Sequence, residues 1–213
     1  GLAFIILGEN IEIQLTGALQ FTDCVGGIYG GGIFIGTSIK IILVISNTCT
    51  FQNCTGSQGG GMYLSSSDIE TDIQITGELS FDNCSCTDSG GGWFLSTSRL
   101  QLSFTNIIQF KDCSSENNGG GLYVSCSNEG TVRFIGQLNF ENCSAIQQGG
   151  GLNIQCSTQG IINFIGLLNF DNCSAINQAG GLYMNIISGG NVTLDNKCEF
   201  HKCKSGNGGA MYL

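Results

Sequence analysis

The sequence predicts an all-β fold: a right-handed parallel β-helix (β-solenoid) of about seven coils, with three strands in each coil of about 30 residues. Three observations carry this expectation: abundant glycine without proline, a motif that returns at a fixed interval, and period-2 alternation with no helical period. The 213 residues include 34 glycines, no proline and only 11% charged side chains. Linkers and disordered tracts are charged or proline-rich, so glycine at this level marks an ordered repeat. Hydrophobic residues make up 41% of the chain, ample for a continuous core.

The repeat is plainest where Phe134-Ile-Gly-Gln-Leu-Asn-Phe-Glu-Asn-Cys-Ser-Ala-Ile-Gln-Gln-Gly-Gly-Gly-Leu152 returns as Phe164-Ile-Gly-Leu-Leu-Asn-Phe-Asp-Asn-Cys-Ser-Ala-Ile-Asn-Gln-Ala-Gly-Gly-Leu182. The same frame fixes Phe21, Phe51, Phe81, Phe110, Phe140, Phe170 and Phe200, one to a coil. The step between them is constant, except that the step from Phe81 to Phe110 is one residue shorter. A glycine triplet follows each, beginning at Gly30, Gly59, Gly90, Gly119, Gly149, Ala179 and Gly208.

The first strand of a coil is read from inward pairs such as Ile13/Leu15, Val132/Phe134 and Ile162/Phe164, with polar Gln14, Arg133 and Asn163 between them. A column restricted to glycine and asparagine follows: Gly17, Asn47, Gly77, Asn106, Gly136, Gly166 and Asn196. These residues tolerate left-handed backbone, so a sharp bend is expected there. The second strand carries the phenylalanine and, two before it, Leu19, Cys49, Leu79, Ile108, Leu138, Leu168 or Cys198. A second bend falls at Asp23, Asn53, Asn83, Asp112, Asn142, Asn172 and Lys202, mostly residues suited to turns. The third strand follows the glycines, with Leu152/Ile154 and Leu182/Met184 inward. Coils about 4.8 Å apart make a rod on the order of 34 Å long.

Four features are candidates for function. The outward column of the third strand is aromatic at Phe34, Tyr63, Phe94, Tyr123, Tyr183 and Tyr212, with Asn153 interrupting. Such a ladder is expected to be exposed, either stacking on itself or meeting a partner chain or glycan. Acceptor sequons stand at Asn53, Asn83, Asn142, Asn172 and Asn191, four of them in the second bend. Seven cysteines form one column, Cys24, Cys54, Cys84, Cys113, Cys143, Cys173 and Cys203, expected inside as reduced thiols. Cys126 and Cys156 occupy equivalent positions near the end of the third strand and are the best candidates for a disulfide.

Other classes find less support. A formal charge of −9 with seven Lys plus Arg argues against nucleic acid as a partner. No apolar run is long enough for a membrane-spanning helix. No metal site is expected, since no two-residue cysteine spacing recurs and His201 is the single histidine, without an obvious partner. No cofactor and no catalytic residues are assigned. The acidic group Asp68, Glu70 and Asp72 is the best local candidate for carboxylate chemistry, and it reads more simply as a solvated turn.

Phe-x-Asn-Cys-Ser-Ala followed by Gly-Gly-Gly-Leu-Tyr resembles the repeats of chlamydial polymorphic membrane proteins, and similar repeats occur in large protist surface proteins. Gly208-Gly-Ala-Met211 is the closest local match to the second motif of that family. The fourth position of the first motif is cysteine in every coil, where the family has asparagine. The resemblance implies a β-helical passenger, surface display and adhesion. Residues 1–213 are therefore expected to form one solenoid segment, uncapped at both ends, that meets itself or flanking coils end to end. The expected function is that of an extracellular structural or adhesive glycoprotein element. The alternative is a polysaccharide lyase or hydrolase on the same scaffold.

Overall fold

A computed structural model describes residues 1–4, 11–67 and 71–213. The strands form four sheets, and the strand pairings are parallel and join residues one coil apart. The first sheet holds Ile11–Leu15, Ile41–Ile45, Asp72–Ile75, Gln101–Phe104, Thr131–Phe134, Ile161–Phe164 and Asn191–Leu194. The second, bearing the phenylalanine column, holds Leu19–Thr22, Cys49–Gln52, Leu79–Asp82, Ile108–Lys111, Leu138–Glu141, Leu168–Asp171 and Cys198–His201. The sheet after the glycines has eight strands, Leu2–Phe4, Ile33–Thr37, Met62–Ser66, Trp93–Ser98, Leu122–Ser127, Leu152–Cys156, Leu182–Ile186 and Met211–Tyr212.

The three long strands per coil are those the alternation predicts. A fourth, two-residue strand has no counterpart in that expectation. It forms at Thr55–Gly56, Ser85–Cys86, Ser114–Ser115, Ser144–Ala145 and Ser174–Ala175, just after the cysteine column. Residues this small and polar carry little strand propensity of their own. Pairing with the coils above and below, in register with the long strands, makes them a sheet.

The core is a set of stacked columns. Phe81, Phe110, Phe140 and Phe170 stack with centroids 4.8 to 4.9 Å apart and planes within 6° of parallel. Such pairs contribute roughly 0.5–1.5 kcal/mol each beyond the burial of their area. The glycine triplet makes room for this stack. A Cβ on Gly121 would lie 2.7 Å from Cδ1 of Phe140, whose ring covers that glycine from the next coil. Trp93 is fully buried and meets Phe104 edge-on at 5.1 Å.

The bends divide differently from expectation. Of these two bend columns only the second is left-handed: Asp23, Asn53, Asn83, Asp112, Asn142, Asn172 and Lys202 all have φ between 51° and 53°. None of Gly17, Asn47, Gly77, Asn106, Gly136, Gly166 and Asn196 has a positive φ. Close approach explains a first-bend glycine instead: a Cβ on Gly166 would collide with the carbonyl oxygen of Gly136 in the coil before.

Candidate functional site

The aromatic column is present, and it is turned edge-on to solvent. Phe34, Tyr63, Phe94 and Tyr123 stack at 5.4, 5.0 and 4.9 Å, and Tyr183 stacks on Tyr212 at 5.7 Å. Their planes lie within 20° of parallel, so ring faces are spent on one another and only edges and hydroxyls point outward. The expectation of an exposed stripe is corrected accordingly: all six rings are half-buried. Burial raises the phenol pKa of both Tyr63 and Tyr123. Asn153, in register with Tyr123 and Tyr183, is fully buried between them and accepts a 2.9 Å bond from Gln155 Nε2. Tyr29 extends the stack sideways, 5.2 Å from Phe34 and 4.6 Å from Tyr63.

The second bend forms two amide ladders. Asn83 Nδ2 donates to Asn53 Oδ1, and Asn53 Nδ2 to Asp23 Oδ1, each at 2.9 Å. Asn172 donates to Asn142 at 2.8 Å and Asn142 to Asp112 at 2.9 Å. Each ladder ends on a carboxylate, an acceptor-only group when ionised. Four sequon asparagines, Asn53, Asn83, Asn142 and Asn172, thus use the amide nitrogen that glycosylation would modify. Asn191 is exposed at the start of its strand and lies outside these ladders.

The seven-cysteine column lies inside, as expected. Cys54, Cys84, Cys113, Cys143 and Cys173 are fully buried, and Cys24 and Cys203 are half-buried. Each buried thiol faces the carbonyl of the phenylalanine one coil before it, as Cys143 faces Phe110 O at 3.5 Å. A thiolate at Cys113 would receive hydrogen bonds from Cys84 and Cys143 on either side, but in a fully buried site. Desolvation wins there and keeps the column as neutral thiols. Burial pushes Cys49 and Cys86 up to about 12.

The disulfide expected between Cys126 and Cys156 is not formed; all twelve cysteines are free. The two residues are in register one coil apart, so their side chains run parallel instead of facing each other. Cys156 Sγ donates to Gly160 O at 3.1 Å, and Cys126 Sγ to Ile161 O at 3.6 Å.

Two features lie beyond the sequence reading. His201 has a partner: its Nδ1 lies 2.7 Å from Asp171 Oδ1, on the outer face of the phenylalanine sheet. The signal is present in the sequence, because the two residues occupy the same position in successive coils. The second is a groove of about 910 Å³ above the two-residue strands. One side is the hydroxyl column Thr55, Ser85, Ser114, Ser144 and Ser174; the floor is Gly56, Cys86, Ser115, Ala145 and Ala175. Ile146 and Ile176, both exposed, line the other side. Of the acidic group, Asp68 and Glu70 lie outside the described residues. Asp72 is exposed and accepts a 2.8 Å bond from Gln74. Among the described residues no His, Cys, Asp or Glu group converges to hold a metal, and no helix is long and apolar enough to cross a membrane.

No protein-family model, curated protein or solved structure matches the chain.

Proposed function

We propose that this chain is an extracellular structural and adhesive element, a β-solenoid rod that displays repeated ladders at a cell surface. One observation carries the reading: side-chain chemistry is distributed along the axis. A site that transforms a substrate brings unlike groups to one point, for instance two carboxylates at a set separation. Here like groups repeat one rung apart, as aromatic, amide, thiol and hydroxyl columns. Most of them satisfy one another within the chain and so rigidify the rod. The resemblance of the Phe-x-Asn-Cys and Gly-Gly-Gly repeats to chlamydial polymorphic membrane proteins implies the same role.

The test is antibody labelling of the producing cells before and after permeabilisation. A surface element is labelled on intact cells and is removed by external protease. Labelling that requires permeabilisation contradicts the proposal.

A further inference from the structure

We propose that Tyr29 and Tyr63 form an oxidative cross-linking site, at which a peroxidase acting with hydrogen peroxide joins the two phenols into an intramolecular dityrosine. The proposal rests on the surface role above only for its supply of oxidant.

The chain has five tyrosines. Among the described residues they make two ring contacts with one another, and the two differ in kind. Tyr183 and Tyr212 stack at 5.7 Å with planes 9° apart, whereas Tyr29 and Tyr63 lie at 4.6 Å with planes 44° apart. Tyr123 has Phe94 on one side and Asn153 on the other.

The angle decides which pair reacts. A phenoxyl radical carries its unpaired spin on the oxygen and on the ring carbons ortho and para to it. Cβ occupies the para carbon, so coupling falls on Cε, beside the hydroxyl. The new bond lies in the plane of each ring. Rings stacked face to face must unstack before their Cε atoms meet in that plane. A short, tilted pair needs only a side-chain rotation, and directly bonded aryl rings are themselves twisted to keep their ortho groups apart.

Position favours the same pair. Phe34 and Phe94 stack on Tyr63 at 5.4 and 5.0 Å, so this ring presents the outward edge that bears its hydroxyl and Cε atoms. Tyr29 stands beside the column and is 41% exposed, within reach of an enzyme. A radical formed on Tyr29 has a phenol already in contact, and proximity favours coupling within the chain over coupling between chains. Thiols, which quench phenoxyl radicals, are mostly out of reach, since nine of the twelve are buried.

The step balances. Each phenol gives up the hydrogen atom of its hydroxyl, and the two electrons and two protons reduce peroxide to two waters. The radicals pair to form one Cε–Cε bond. The hydrogen that each bonded Cε carried then moves as a proton to the phenol oxygen, restoring both hydroxyls and both aromatic rings. The bridge ties two successive coils that no disulfide joins. Like a disulfide, it restricts the unfolded chain.

Treating the purified chain at low concentration with a plant haem peroxidase and a stoichiometric amount of peroxide tests this. The product should be a monomer lighter by two hydrogens, with dityrosine fluorescence, and tandem mass spectrometry should place the bridge between Tyr29 and Tyr63. Its urea midpoint should lie above that of the untreated chain. Y29F, which keeps the ring, should cut the yield of bridged monomer at least tenfold while Trp93 fluorescence stays native. Y212F should leave that yield unchanged. Absence of dityrosine, a bridge between Tyr183 and Tyr212, cross-linked dimers in place of the bridged monomer, or a Y29F yield equal to that of the parent overturns the proposal. None of these outcomes bears on whether intact cells are labelled, so the two proposals fail separately.

Discussion

Replacing Gly121 with alanine probes the coupling between the glycine triplet and the phenylalanine stack. The new methyl carbon would lie 2.7 Å from Cδ1 and 3.0 Å from Cε1 of Phe140, and 2.9 Å from the carbonyl oxygen of Gly151. Carbon atoms pack at about 3.5–4.0 Å, so the ring must retreat by about 1 Å. It cannot retreat along the axis, because Phe110 and Phe170 hold it at 4.9 and 4.8 Å with planes 3° from parallel. Overpacking of this kind costs about 1–3 kcal/mol, and displacing the ring from two stacked partners adds about 1–3 kcal/mol more. The expected loss is therefore about 2–6 kcal/mol. Urea unfolding followed through Trp93, the single tryptophan and fully buried, reads it directly. Phe140→Leu vacates the position of the ring edge, so G121A/F140L should be more stable than the sum of the single losses by at least ~1 kcal/mol. A G121A protein whose urea midpoint matches that of the parent, or strict additivity in the double variant, would refute the reasoning.

Ala179 takes the left-handed position that glycine fills in the other coils, with φ of 55°. Ala179→Gly relieves about 1–2 kcal/mol of strain and concedes about 0.4–1 kcal/mol through the unfolded chain, so a gain of roughly 0.5–1 kcal/mol is expected by thermal unfolding. Folding raises the thiol pKa of Cys49 and Cys86 from 9.0 to about 12, chiefly by burial. Protonated thiols are favoured in the native state, so this stability is full below pH 9 and lost as pH rises through about 12. The decline should be about 1.4 kcal/mol per pH unit for each such thiol, and a flat urea midpoint across that window would contradict it. Denatured, unreduced protein should titrate twelve thiols, whereas native protein should react first at Cys24, Cys198 and Cys203, the three that are not buried. Secreted from a eukaryotic host, the chain should carry glycan at Asn191, removed by Asn191→Gln. A folded product bearing glycans at both Asn142 and Asn172 would contradict the amide ladder.

What is legible in the sequence is the part fixed by a column. One phenylalanine per coil and period-2 alternation around it specify both the coil and which side chains face in. Two physical limits account for the rest. Glycine and asparagine in the first bend have the composition of left-handed residues, but glycine is also required wherever backbones approach closely. Only coordinates show that Gly166 meets the carbonyl of Gly136, while the left-handed turn falls at Asn172 and its equivalents. Composition also says nothing of ring orientation. By residue type the tyrosines make an exposed surface, whereas stacking turns their faces toward one another. The groove is invisible in the sequence because serine, alanine and glycine have no periodic hydrophobic signal. Their sheet exists only through the neighbouring coils.

Each repeat climbs one rung along a single axis, and an outward column of the phenylalanine sheet lets that climb be measured. Gln20 and Glu199 are exposed residues of this column, linked by six successive parallel pairings through Thr50, Ser80, Gln109, Asn139 and Asn169. Spin labels placed there by bio-orthogonal chemistry, which spares the native thiols, should show a single distance distribution centred at about 29 Å, six rungs of about 4.8 Å. Labels at Gln109 and Glu199 should lie at half that separation. Distances that do not scale with the number of repeats between the labels would contradict the account.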